Sequence, residues 1–168
     1  MNDFIIQAIG GIAYLLLALS YYKKDKAEIL LMQIFAYLGF MIHYYLLDGM
    51  TAVICNLMGL LVFLIIYIFE KKKSNRNKLL IVITIPILIT ISVLTYQNIY
   101  SIFPIIASVI SISSFLTSNK NLIRFIGIIS AICWGIYAIV YKSYVSIGFE
   151  IFTIVSTTIA FIKNKKTS

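Results

Sequence analysis

Residues 27–73 read AEILLMQIFAYLGFMIHYYLLDGMTAVICNLMGLLVFLIIYIFEKKK. Two apolar runs, 27–47 and 50–69, meet at Asp48-Gly49 and end on Lys71, Lys72 and Lys73. Each run is about the 20 residues that a helix needs to cross a bilayer at a rise of about 1.5 Å per residue. Hydrocarbon offers no partner to an open backbone, so runs rich in Ile and Val that would suit strands in water must be helices here. The pattern continues along the chain. Further runs cover 4–22, 79–96, 99–117, 122–141 and 144–162. They are punctuated by Lys23-Lys24-Asp25-Lys26, Glu70 through Lys78, Gln97-Asn98, Ser118-Asn119-Lys120 and Lys142-Ser143. The expected class is an all-α membrane protein with seven transmembrane helices.

Composition leads to the same place. Of 168 residues, 61% are apolar and 12% charged, with a mean hydropathy of +1.00. A soluble domain carries about 25% charged residues, and one this small keeps much of its surface in water. Seven spans consume about 140 residues and leave about 28 for loops and ends, which excludes a folded ATPase or receptor domain outside the membrane. A net charge of +8 would suggest nucleic acid for a soluble chain, but in a membrane protein basic residues mark cytoplasmic loops. No nucleic-acid partner is expected. With the N-terminus outside, the inner loops hold Lys23, Lys24, Lys26, Lys71, Lys72, Lys73, Arg76, Lys78, Lys120, Arg124, Lys163, Lys165 and Lys166, leaving only Lys142 outside. The expected topology is N-out and C-in. The opening Met-Asn-Asp lacks the basic n-region of a cleaved signal, so the first run is expected to remain as a span. Cys55 and Cys133 lie in apolar runs without ligand spacing and read as buried thiols.

The chain aligns on itself at an offset of 94 residues without a gap. Ala13 meets Ala107, Ser20 meets Ser114, Tyr21 meets Phe115 and Lys26 meets Lys120. His43 meets Tyr137, Asn56 meets Glu150, and Lys71 and Lys72 meet Lys165 and Lys166. This divides the chain into a three-helix repeat at 1–78, a connector helix at 79–97 and a second three-helix repeat at 98–168. An odd connector gives both triplets the same orientation, so they are parallel repeats about an axis along the membrane normal. Repeat transporters place their solute site near the midplane between the halves. The connector run carries no charge or amide and contains Pro86, and reads as a lipid-facing link.

From Ile9 to Lys73 the chain resembles the YgjV-type bacterial inner-membrane proteins. The carrying residues are Gly10-Gly11, Ser20-Tyr21, the basic loop, Gln33, His43-Tyr44, Leu46-Leu47, Thr51 and Asn56. Asp48-Gly49 and Val62 depart from that pattern. The resemblance implies a multi-pass protein of the bacterial inner membrane. The three-plus-one-plus-three plan is also similar to the SWEET sugar facilitators and the PnuC-type vitamin transporters, with Asn56 and Glu150 at the level where SWEET-type proteins have pocket asparagines. Unlike those proteins, each of which flexes on several prolines, this chain has only Pro104 within its triplets, opposite Gly10.

Glu150 has no topogenic role and sits about six residues, roughly 9 Å, into the seventh run. A carboxylate there costs about 2.5–3.5 kcal/mol even on a lenient insertion scale, so it is expected to face the bundle interior. It is read as a solute or cation contact or a proton-coupling group, against a structural role tying helices together. Asn56, its repeat partner, suits a polar solute or a neighbouring helix equally. Gln33 lies mid-span as helix glue or pocket lining. His43 lies near the outer end, as a wetted imidazole or a solute contact. Tyr37, Tyr44, Tyr45, Trp134, Tyr137 and Tyr141 form an interfacial belt or a stacking wall, with Trp134 and Tyr137 preferred for the wall. Gly127, Ala131 and Gly135 form a small-residue ridge read as helix packing.

No catalytic triad, metal cluster or phosphate loop is present, so neither enzyme activity, cofactor nor metal is expected. The expected function is a small-molecule facilitator with a midplane polar cavity. Asn56, Glu150, Gln33, Trp134, Tyr137 and His43 are its candidate solute-binding residues. The alternative is a non-transporting scaffold or accessory subunit, whose polar groups would point at one another. The expected partners are the lipid bilayer, a small polar solute (sugar, vitamin or nucleoside) and further copies of the chain in a homo-oligomer.

Overall fold

A computed structural model describes residues 2–20, 22–23, 25–71, 77–114 and 120–165. Its helices are α1 (Asp3–Ser20), α2 (Lys26–Leu46), α3 (Met50–Lys71), α4 (Asn77–Leu94), α5 (Ile102–Ser114), α6 (Lys120–Val140) and α7 (Tyr144–Lys165), with one 3-10 turn at Ile99–Ser101. No strand occurs among the described residues. The helices follow the apolar runs to within a few residues. Tyr21, Lys24, Lys72, Lys73, Arg76, Phe115, Ser118, Asn119 and Lys166, all named above for loops or repeat matches, lie outside the described residues.

Among the described residues, four helices are long and apolar enough to cross a bilayer, at Asp3–Ser20, Ala27–Leu46, Met50–Phe69 and Asn121–Val140. Val82–Leu94, Ile99–Ser114 and Tyr144–Ile159 are shorter apolar helices. The expectation of seven spans is therefore met by this measure for four.

Local chemistry sets the helix ends. The Asp25 side chain accepts the Ala27 N–H at 3.0 Å and caps α2, satisfying one of the donors that a helix start leaves open. The α2–α3 and α6–α7 turns both pass through a left-handed residue, Asp48 at φ 58° and Lys142 at φ 54°. Their hydrogen bonds also correspond. Asp48 N–H reaches Tyr45 O as Lys142 N–H reaches Ile139 O, Gly49 reaches Tyr44 as Ser143 reaches Ala138, and Val53 reaches Gly49 as Ile147 reaches Ser143. Each pair is separated by 94 residues.

Packing runs α1 on α2, α2 on α3, α5 on α6 and α6 on α7, and the triplets join where α3 meets α5 and α7 meets α1. Six helices thus close a ring, and α4 leans on α3 and α5 from outside it. The connector is not wholly lipid-facing: Thr84, Leu88 and Ser92 are buried, while Val82, Ile83, Ile87 and Val93 are exposed. Leu88 enters the main apolar core with Met58, Val62 and Phe63 of α3 and Ile112 of α5. Cys55 and Cys133 are free and buried.

The surface is apolar and much of the interior polar. Phe4, Ile12, Leu15, Val93, Ile139 and Val155 are exposed, whereas Ser20, Gln33, His43, Thr51, Ser101 and Ser146 are buried. That inversion suits a lipid solvent, where a polar side chain gains nothing by facing outward.

Small residues allow the closest approaches. A Cβ on Gly39 would stand 2.7 Å from Ala13 Cβ, between α1 and α2, while one on Gly11 would meet nothing within 4 Å. Gly39→Ala should lower stability by about 1–3 kcal/mol through overpacking, read as a lower unfolding midpoint in detergent. Gly11→Ala should leave it unchanged or raise it slightly, through better helix propensity. Equal effects of the two substitutions would contradict this packing.

Candidate functional site

The ring encloses a cavity of about 660 Å³. Every ring helix contributes to its wall: Tyr14, Leu17 and Ala18 from α1, Tyr37, Phe40 and Tyr44 from α2, Asn56 from α3, and Ser111 from α5. Gly127, Ser130, Ala131 and Trp134 come from α6, and Phe149, Glu150, Phe152, Thr153, Ser156 and Thr157 from α7. No α4 residue lines it. The cavity extends to Tyr22, which follows α1 at the end of the bundle where the basic residues gather and is 85% exposed.

The opposite end is sealed by polar contacts. His43 Nδ1 lies 2.8 Å from Ile6 O, and Nε2 lies 2.6 Å from Ser143 Oγ. A carbonyl only accepts, so Nδ1 carries the proton; in the neutral imidazole Nε2 then accepts from the Ser143 hydroxyl. Ser143 and Ser146 hydroxyls stand 2.5 Å apart, and Tyr44 Oη donates to Ser146 at 3.3 Å. This chain links α1, α2 and α7, and His43, Ser143 and Ser146 are fully buried. Tyr44 belongs to both structures, since it also lines the cavity. On the other side of the ring, Thr51 Oγ1 donates to Thr95 O at 2.7 Å and accepts from Ser101 Oγ at 3.0 Å. Gln97 Nε2 donates to Asp48 O at 2.8 Å, Gln7 Nε2 donates to Lys142 O at 2.9 Å, and Asn98 Nδ2 donates to Tyr141 Oη at 3.1 Å. All the loops at this end are tied to one another.

Within the cavity, Glu150 is half-buried and accepts a long hydrogen bond of 3.4 Å from Tyr14 Oη. Gly135 lies alongside, where an added Cβ would stand 3.7 Å from Glu150 Cβ. Asn56 donates one amide hydrogen to Ala52 O of its own helix at 2.8 Å. Tyr14 stacks on Phe149 at 4.1 Å and tilts against Phe40 at 4.6 Å. Trp134 lies 5.8 Å from the Tyr44 ring.

The residues expected from sequence divide cleanly. Asn56, Glu150 and Trp134 line one cavity. Tyr137 does not: it is fully buried behind Trp134, stacked on Tyr141 at 4.4 Å, with Oη held close to Gly49. His43 is neither wet nor in the cavity, because Ile6 and Ser143 occupy both ring nitrogens. Gln33 is buried in α2 outside the cavity wall. The Gly127–Ala131 ridge borders open space instead of a neighbouring helix, since a Cβ on Gly127 would meet nothing within 4 Å. Sequence reasoning missed Tyr14 and the polar stripe of α7. That stripe was visible: Ser143, Ser146, Glu150, Thr153 and Thr157 recur at steps of three and four residues, which is one helical face.

The model of the Imp-YgjV family, bacterial inner membrane proteins, matches residues 4–168, well beyond the stretch that carries the visible resemblance. No curated protein and no solved structure matches the chain.

His43 and Gly10 make a coupled test of the seal. A Cβ on Gly10 would stand 2.8 Å from the imidazole. Gly10→Ala alone should destabilise by about 1–3 kcal/mol, and His43→Ala alone by about 2–3 kcal/mol, since it strips partners from Ile6 O and Ser143. The double substitution should cost clearly less than the sum, because the imidazole that the added methyl group would displace is gone. Unfolding midpoints of the four proteins check this; strict additivity would count against the contact.

Proposed function

The chain belongs to the Imp-YgjV family of bacterial inner membrane proteins, and from the cavity it encloses we propose that it carries a small polar solute across that membrane without covalent chemistry. The observation that carries this reading is the cavity of about 660 Å³ walled by all six ring helices and sealed at one end by hydrogen bonds. A pocket of 300–1,000 Å³ suits a small molecule, by the usual range for ligand sites. A scaffold would be expected to turn its intramembrane polar groups on one another. Here Glu150, Asn56 and Thr157 border open space.

In this reading the architecture is two parallel three-helix repeats around a two-fold axis along the membrane normal, with α4 as connector and all seven helices crossing the bilayer. Three features support it. The contact of α3 with α5 corresponds to that of α7 with α1. The two left-handed turns share their hydrogen bonds at an offset of 94. The hydrogen bond between Thr51 and Ser101 corresponds at that offset to the one between Val145 N–H and Gln7 Oε1. The seven crossings follow from the basic residues, which an up-and-down chain collects at one end. By the positive-inside rule that end is cytoplasmic. The cavity then faces the cytoplasm, and the polar seal lies at the outer surface. Glu150 and Asn56 contact the solute, and Trp134 supplies a stacking face.

Uptake of a panel of sugars, vitamins and nucleosides into proteoliposomes tests the function. At least one solute should accumulate with saturable kinetics, and Glu150→Gln should abolish its uptake. Gly127→Leu should block uptake by filling the cavity while leaving the unfolding midpoint in place, since the added side chain enters free space. No uptake of any solute by folded protein would favour the scaffold. Sidedness has its own measurement. With Cys55→Ser and Cys133→Ser as background, a cysteine at Ser156 should react with an impermeant thiol reagent in inverted vesicles and resist it in right-side-out ones. The reverse pattern would overturn the orientation.

A further inference from the structure

We infer that the solute of this cavity is an organic cation: an ammonium group held by Glu150, on a body small enough to sit among aromatic rings. The inference rests on the solute-cavity reading above and adds the chemical class. Its first support is charge. Among the described lining residues Glu150 is the only carboxyl group, and none is Lys, Arg or His. Among the described residues Glu150 makes no ion pair, and its 3.4 Å bond from Tyr14 is long for a hydroxyl donating to a carboxylate. A carboxyl group withdrawn from water without a counter-ion is costly to ionise, and an incoming cation supplies the missing counter-charge.

The second support is the direction of the hydrogen bonds. Several hydroxyl protons of the wall are directed at protein acceptors. Tyr14 donates to Glu150, Tyr44 to Ser146, Ser130 to Ala107 O and Ser156 to Thr153 O. Ser111, whose hydroxyl lies 2.8 Å from Ser130 Oγ, can then donate to it. What these groups leave for a ligand is lone pairs. A wall of acceptors selects a ligand of donors, and an ammonium has donors without acceptors. An anion would meet an acidic side chain and, among the described lining residues, no basic one.

The third support is the rings. Tyr14, Tyr37, Phe40, Tyr44, Trp134 and Phe149 all border the cavity. Aromatic faces attract a desolvated cation through their quadrupole, Trp most strongly. A neutral sugar would use the rings but would gain nothing from the acidic side chain.

Trp134 is the only tryptophan in the chain, so its fluorescence reports occupancy directly. The full-length protein in nanodiscs is titrated at pH 7 with three probes of matched shape: benzylammonium, benzyl alcohol and benzoate. Benzylammonium should give a saturable change with a Kd at least about tenfold below that of benzyl alcohol, and benzoate should give none. Glu150→Gln should remove the preference for the cation while keeping the response to benzyl alcohol. Equal affinity for cation and alcohol, or tighter binding of benzoate, overturns the cation inference and leaves the solute cavity standing. A preference that survives in Glu150→Gln also overturns the role given to Glu150. The wild-type comparison of probes needs no variant and so decides the matter even if the substitution impairs folding. No saturable response to any probe, with Ser156→Cys unreactive from both sides, overturns the cavity reading itself.

Discussion

A polar group surrounded by hydrocarbon has two refuges, another polar group of the same bundle or water in a cavity. That constraint sorts the polar residues of this chain by height. Toward the α2–α3 turn they are paired side chain to side chain: His43 with Ser143, Ser143 with Ser146, Thr51 with Ser101. Further along α7, Glu150, Thr153 and Thr157 border the cavity instead. One stripe of one helix thus serves both outcomes, and the change from seal to cavity occurs between Ser146 and Glu150, within about one helical turn.

Corresponding positions in the two triplets carry different chemistry on similar geometry. His43 bonds to Ser143 across the ring. At the 94-residue offset Tyr137 answers His43 and Gly49 answers Ser143, and Tyr137 Oη does lie against Gly49. The imidazole–hydroxyl bond on one side therefore becomes a phenol over a glycine on the other. The same exchange sets Asn56 of α3 against Glu150 of α7, so the cavity has one carboxylate and one amide where strict symmetry would give two of either. A pair of carboxylates in one such space would repel. In the repeat reading, difference between the halves leaves the cavity with a single acidic side chain among its described lining residues.

Much of this was legible beforehand. The helix ends and the turn at Asp48-Gly49 follow from hydropathy, and the expectation that Asn56 and Glu150 share one space follows from aligning the chain on itself at an offset of 94 residues. The failures share one physical cause, which is that helix azimuth depends on partners far away in sequence. His43 was expected to be wet because it lies near a helix end, yet Ser143, which buries it, is 100 residues away. Trp134 and Tyr137 differ by three residues, and only the positions of Tyr44 and Tyr141 decide which of them faces the cavity. The ridge at Gly127 shows the same limit differently. Small residues make room, and a sequence does not say whether a helix or a void takes it.

If a carrier opens alternately to each side, the seal must break, and its composition says how. It consists of hydroxyl, amide and imidazole hydrogen bonds, each contributing a net of about 0.5–1.5 kcal/mol, and the ion pair of Lys23 with Glu28 lies away from it. Several such bonds sum to a few kcal/mol, a range in which a solute favouring one state shifts the population. Helix bending is a poor route, since Pro104, near the start of α5, is the only proline in either triplet. Displacement falls instead on the contacts between triplets, α1 with α7 and α3 with α5. The first carries the Gln7 bonds to Lys142 and Val145, and the second adjoins the Thr51 bond to Ser101. In the carrier reading, movement of whole triplets about these two seams would break the seal at both at once, because residues that close the cavity also join the halves.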